Sequence, residues 1–125
     1  MRMSSGTDDY VQQHSLTTDG PANKVAVKFD GQKLRYDLIP VMPLEELAKV
    51  YTFGAIKYGD RNWEKGFNWC RCLAAAIRHL FEFCKGEDID SDSGCHHLSA
   101  VAFYCFALIE FGRTHPGLDD RVKLK

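Results

Sequence analysis

Residues 69–111 read WCRCLAAAIRHLFEFCKGEDIDSDSGCHHLSAVAFYCFALIEF, and this stretch decides the fold. Two apolar runs with spacings of three and four flank the acidic connection GEDIDSDSG, residues 86–94. Leu73, Ile77, Leu80, Phe81 and Cys84 fall on one side of a helix predicted over 69–85, which Gly86 stops as a C-terminal cap. Leu98, Val101, Ala102, Cys105, Leu108 and Ile109 form the stripe of a second helix, predicted over 93–111, with His97, Tyr104 and Phe111 at its margin. So short a connection predicts an antiparallel hairpin with these two stripes as its core. A different face of the first helix carries Cys72, Ala75, Ala76, His79 and Glu82. Small residues beneath two ionisable ones predict room for a ligand there.

Working back toward the N-terminus, a third helix is expected over 43–58, with Pro43 at its first position and Glu45 and Glu46 in its first turn. Leu44, Leu47, Ala48, Tyr51, Ala55 and Tyr58 give it one stripe, and Gly59-Asp60 ends it before the loop RNWEKGFN. Asp30-Gly31 marks a turn. Residues 1–27, rich in Ser, Thr, Asp and Gln without a sustained period, predict a flexible N-terminal arm, with a short extended piece at 25–29. The domain proper is then 28–125, and its tail RTHPGLDDRVKLK is expected to run over the surface. The fold class is all-α, a small helical bundle with a central antiparallel helix hairpin.

The 125 residues suit one such domain. Sixteen basic against seventeen acidic side chains leave a formal charge of -1, so the chain has no basic footprint for nucleic acid. No run approaches the ~20 apolar residues that a membrane span needs, and MRMSSGTDDY lacks the apolar centre of a secretory signal. A cytoplasmic location is expected. The five cysteines lie within apolar patterns, and paired CxxC knuckles are missing, which favours small buried thiols over zinc ligands or disulfides.

Glu82, Glu87, Asp88, Asp90 and Asp92 put five carboxylates within eleven positions, flanked by His79, His96 and His97. A hard cation such as Mg²⁺ or Mn²⁺ would relieve their repulsion and could bring a phosphate substrate with it. The alternative is a solvated loop in which Asp90 or Ser91 caps the following helix. Calcium in an EF-hand is excluded, since Ser93 and Ser99 stand where that loop needs Gly and Glu. There is no GxSxG, no GxGxxG and no GxxxxGK[ST], so any grip on phosphate must come from side chains such as Lys33, Arg35, Lys57 and Arg78. Tyr58 and Trp63 could stack on a base, and Asn62 offers both donor and acceptor to a purine edge. Tyr51, Phe53, Phe81, Phe83, Tyr104, Phe106 and Phe111 cannot all enter one small core, which predicts an oligomer.

Three segments together have a recognisable look: KFDGQKLRYDLIP (28–40), FGAIKYGDRNWEKG (53–66) and AAAIRHLFEFCKGEDIDSDSGCHHL (74–98), with LDDR closing at Arg121. They resemble the family of phage and bacterial dATP/dGTP diphosphohydrolases, related to the MazG-like all-α nucleoside triphosphate pyrophosphohydrolases. The resemblance implies metal-dependent hydrolysis of a purine (deoxy)nucleoside triphosphate, dGTP or dATP, to the monophosphate and pyrophosphate. It implies Mg²⁺ or Mn²⁺ on Glu82, Glu87, Asp90 and Asp92, and Glu87, His79 and His97 as catalytic groups. Lys33, Arg35, Lys57, Tyr58, Asn62, Trp63 and Arg78 would bind the substrate, in a homo-oligomer, dimer or tetramer. The MazG-like pattern carries its metals on ExxE and ExxD helices. Here His79 and Glu82 stand in the first, while the second has His97 and Ala100. That missing carboxylate keeps a second function in view, a catalytically silent protein that binds or sequesters a nucleotide.

Overall fold

The computed structural model describes residues 25–124. The chain divides into two compact units, one ending at Ile39 and the other beginning at Pro40. In the described part of the first, residues 31–33 turn as Asp30-Gly31 predicts, with Lys33 N–H donating to Asp30 O. A 3-10 turn, Tyr36–Leu38, follows. The extended piece expected at 25–29 has no ladder partner and is exposed; the rest of the predicted arm lies outside the described residues.

The second unit holds three α-helices, α1 (Val41–Tyr58), α2 (Trp69–Cys84) and α3 (His97–Thr114), with 3-10 turns at Asn62–Lys65 and Pro116–Leu118. Among the described residues, β pairing is limited to one isolated bridge between Ile89 and His96. Helix α1 begins two residues before Pro43, because a proline in the first turn lacks only a donor that has no helical partner there. Gly59, with φ at +100°, ends it as expected. At the end of α2, Glu87 N–H donates to Glu82 O and Gly86 N–H to Phe83 O, and Gly86 takes φ of +100°. This is the left-handed cap that Gly86 predicts. Helix α3 starts at His97, later than the predicted start at Ser93. His96 caps it, its Nδ1 accepting from Leu98 N–H at 3.0 Å, so neither Asp90 nor Ser91 does.

Helices α2 and α3 form the antiparallel hairpin: Cys72 near the start of α2 packs with Ala107 and Phe111 near the end of α3, while Phe83 meets His96. Its seam differs from the predicted one. The buried residues of α2 are Cys72, Ala75 and Ala76, and those of α3 are His97, Ser99, Ala100, Ala107 and Phe111. The residues taken as a margin of α3, His97, Tyr104 and Phe111, therefore join Ala100 and Ala107 in its packed line, at spacings of three and four. Much of the bulky stripes faces out: Phe81 is 61% exposed and Ile109 63%, with Ile77, Leu80, Cys84, Leu98 and Cys105 also exposed, while Leu108 packs against the core. Of the five free thiols only Cys72 and Cys95 are buried, which corrects the expectation for Cys84 and Cys105. Periodicity finds a face but not what covers it.

Aromatic rings complete the packing. Tyr51 of α1 meets Phe103 of α3 edge-on at 4.8 Å, and Trp63 sits 6.0 Å from Tyr51 and 6.1 Å from Phe111. The tail is clamped rather than loosely laid on the surface. Asp120 accepts from Cys70 N–H at 2.8 Å, capping α2 from fifty positions away, and Arg121 stacks 4.9 Å over Trp69. Gly66 allows this closure, since a Cβ there would lie 2.7 Å from Leu118 and 2.8 Å from His115.

Candidate functional site

One face of this unit is a groove of about 800 Å³. The C-terminal half of α1 and the turn after it supply Lys57, Tyr58, Asp60, Asn62 and Trp63. From α2 come Arg71, Cys72, Ala75, Arg78 and His79, and from α3 Ala100, Phe103 and Tyr104. Asp90, Asp92, Ser93 and Cys95 of the connection close one end. The volume is that of an ordinary small-molecule site.

Five of the residues predicted to bind substrate thus converge: Lys57, Tyr58, Asn62, Trp63 and Arg78. Lys57 Nζ lies 5.3 Å over the Tyr58 ring and 5.7 Å over Phe53, so the charge is held against aromatic faces. Arg71 and Arg78 form no ion pair among the described residues, whereas Arg61 is tied to Glu64 at 2.9 Å. Two unspent guanidinium groups beside Lys57 make an anion-seeking wall. Lys33 and Arg35 belong to the other unit, where Arg35 makes a two-pronged pair with Asp37 at 2.7 Å.

Tyr51, Phe103 and Tyr104 also line the groove. The sequence placed Tyr51 and Tyr104 among core or surplus aromatics and did not single out Phe103; helical spacing carries no signal to tell a wall from a core. Tyr104 stacks on His79 with 6.4 Å between ring centres and 25° between planes. Burial pushes the phenols of Tyr51 and Tyr104 up, so both remain neutral donors.

His79 and His97 meet with Nδ1 atoms 2.9 Å apart. Burial first, and the neighbouring His97 second, push His79 below the ordinary imidazole range. The side chain of His97 is 4% exposed, and its Nε2 approaches Glu87 Oε1 at 3.5 Å without making a hydrogen bond.

The four carboxylates expected to share a metal are divided. Asp90 and Asp92 line the groove, but the Asp90 carboxylate already accepts from Asp92 N–H at 3.1 Å and Ser93 Oγ at 3.2 Å. Glu82 is held by Lys85 at 3.0 Å, which lowers its pKa, and Glu87 faces His97; neither lines the groove. Among the described residues no three His, Cys, Asp or Glu side chains gather as a metal ion requires. The described residues of one chain do not by themselves bring the four expected carboxylates together. No helix among the described residues is long and apolar enough to cross a membrane.

A family model described as dATP/dGTP diphosphohydrolase, N-terminal, matches residues 23–121. A protein of Salmonella phage PMBT28 named dATP/dGTP diphosphohydrolase is 36% identical over 95 residues, 76% of this chain. The match spans 32% of that phage protein, so the chain corresponds to about a third of its length. No solved structure matches the chain significantly. The matched residues take in both hairpin helices, the acidic connection and the LDDR clamp, and the chain belongs to the dATP/dGTP diphosphohydrolase N-terminal family.

Proposed function

We propose that the groove binds a purine (deoxy)nucleoside triphosphate of the dGTP or dATP type and hydrolyses it to the monophosphate and pyrophosphate. The supporting observation is the convergence of Lys57, Arg71 and Arg78 with the rings of Tyr58, Trp63 and Tyr104 around about 800 Å³. The cations neutralise phosphates and the rings offer faces to a base. The phage relative's name supports the same substrate class. A water oxygen bonds to phosphorus as the α–β anhydride bond breaks, and Arg71, Arg78 and Lys57 stabilise the charge on the departing pyrophosphate. His79, on the wall and kept uncharged because burial pushes its pKa down, orients the water.

Mg²⁺ or Mn²⁺ enters this reading with the substrate, as the counter-ion of the triphosphate. A homo-oligomer, dimer or tetramer, belongs to the same proposal, since the outward stripes of α2 and α3 are too apolar to suit water. A second reading is a silent nucleotide-binding protein. Ala100 on the groove wall favours it, since it stands where a metal-binding carboxylate would be expected. Pyrophosphate release from dGTP and dATP, with and without Mg²⁺, separates the two. Turnover that needs Mg²⁺ is expected. Thermal stabilisation by the nucleotide without turnover would establish the silent binder instead.

A further inference from the structure

Behind the groove wall lies a short polar chain that ends on Glu87. The imidazole of His97 is sealed between His79 on one side and Glu87 on the other, at 2.9 Å and 3.5 Å. Its place is fixed by backbone: His97 N–H donates to Asp88 O at 2.8 Å, Asp90 N–H to Cys95 O at 2.8 Å, and Ile89 bridges to His96. On the groove side, His79 is stacked on Tyr104.

Two neutral imidazoles that share an Nδ1···Nδ1 contact must be opposite tautomers, one donating and the other accepting. Glu87 breaks the tie. If His97 donated, its buried Nε2 would be a bare lone pair aimed at a carboxylate oxygen, both repelled and unsatisfied. If His97 accepts at Nδ1, its Nε2 carries the hydrogen and directs it toward Glu87. His79 then donates from Nδ1 and keeps Nε2 bare. Among the described residues only His97 Nε2 is both buried and unpartnered, and His79 lines the groove, so the free nitrogen of His79 is the one left for a groove ligand.

We propose that Glu87, acting through His97, positions His79 as a hydrogen-bond acceptor whose Nε2 lone pair faces the groove and takes a hydrogen bond from the attacking water. Glu87 and His97 are positioning residues here, and the inference rests on the hydrolytic reading above. Long-range ¹H–¹⁵N spectra of the histidine side chains, recorded on the full chain at pH 8 without nucleotide or metal, test it. The expected result is hydrogen on Nε2 of His97 and on Nδ1 of His79. The reversed pair, or an averaged mixture, would overturn the proposal. Glu87→Ala, at an exposed position, removes the tie-breaker and should convert the single tautomer pair into a mixture. An unchanged pair in that variant would remove Glu87 from the relay. The spectra need no substrate, so reversed tautomers alongside intact turnover would sink the relay alone. Absent turnover with the expected tautomers would sink hydrolysis alone.

Discussion

Helix α2 has two faces that differ in size and in fate. The face with Cys72, Ala75, Ala76 and His79 packs against α3 and borders the groove, while Ile77, Leu80, Phe81 and Cys84 stand in the open. A simple ranking by apolar bulk would have reversed them. Small residues let α2 and α3 approach closely enough for one imidazole to reach the other across the seam, and a Leu or Ile there would hold them apart. The bulky face is free to meet something outside the chain. The chemistry thus sits on the small face and the unmet apolar area on the large one.

The largest expected effect is on the small face. His79→Ala should lower kcat by roughly 10²–10⁴-fold if the ring orients the attacking water. Turnover within threefold of the parent would detach this face from the chemistry. The same ring sets a pH dependence. Its folded pKa lies below the unfolded value near 6.5, so the unfolded chain binds the proton first and stability falls as pH drops below about 6.5. Above that range the histidine contributes no slope. Chemical denaturation at pH 7.5 and 5.5 should show the loss, and His79→Ala should flatten it.

Next comes Ala75→Leu, which adds bulk where α2 is both packed and bordering the groove. Overpacking should cost roughly 1–3 kcal/mol of stability. Nucleotide affinity should fall about tenfold, or about 1.4 kcal/mol, because the same atoms would enter the groove. Ala74→Leu, at an exposed position one residue away, is the control and should change neither. Equal effects at both positions would show that the two faces are not distinct.

On the large face, Phe81→Glu should leave the folded subunit's stability within about ±0.5 kcal/mol, as for an ordinary surface site. Its effect should fall on assembly: light scattering of the parent is expected to return more than 14.2 kDa, and the variant less than the parent. A parent that runs as a clean monomer at micromolar concentration would leave the outward stripe without its proposed partner.

Much of this was legible in advance, and the part that was not has a physical reason. Gly86 and Gly59 announced their caps, because only a left-handed residue closes those helix ends so readily. Lys57, Tyr58, Asn62, Trp63, Arg78 and His79 were identified individually and do converge. The seam was misread because periodicity reports bulk, and bulk can face another molecule as well as a core. The His79–His97 contact joins residues eighteen positions apart and depends on the register of two helices, which no local pattern encodes. Glu82 and Glu87 looked like partners of Asp90 by spacing alone. Neither of them lines the groove that Asp90 borders.

The smallest effect concerns the clamp that holds the start of α2, where Cys72 begins the buried face. Asp120 accepts from Cys70 N–H, and that hydrogen bond holds its pKa below the ordinary carboxylate value. Asp119, paired with Arg121 at 2.8 Å, is lowered from 3.8 to about 2. Both groups bind protons less readily folded than unfolded, so their contribution is complete above about pH 4 and disappears as pH falls toward 2. Releasing them should fray the first turn of α2 and loosen Trp69 from Arg121, with little change at Ile77 or Phe81 farther along. Hydrogen exchange measured between pH 4.5 and 3 should therefore show protection lost first at residues 70–73, ahead of residues 77–81. Asp120→Asn keeps an acceptor oxygen while losing its titration, so its first-turn protection should fall less steeply over that range, with Asp119 the remaining titrating group. Uniform loss along the whole helix in both proteins would mean that the two faces of α2 open together, and that the clamp does not hold the inner one in place.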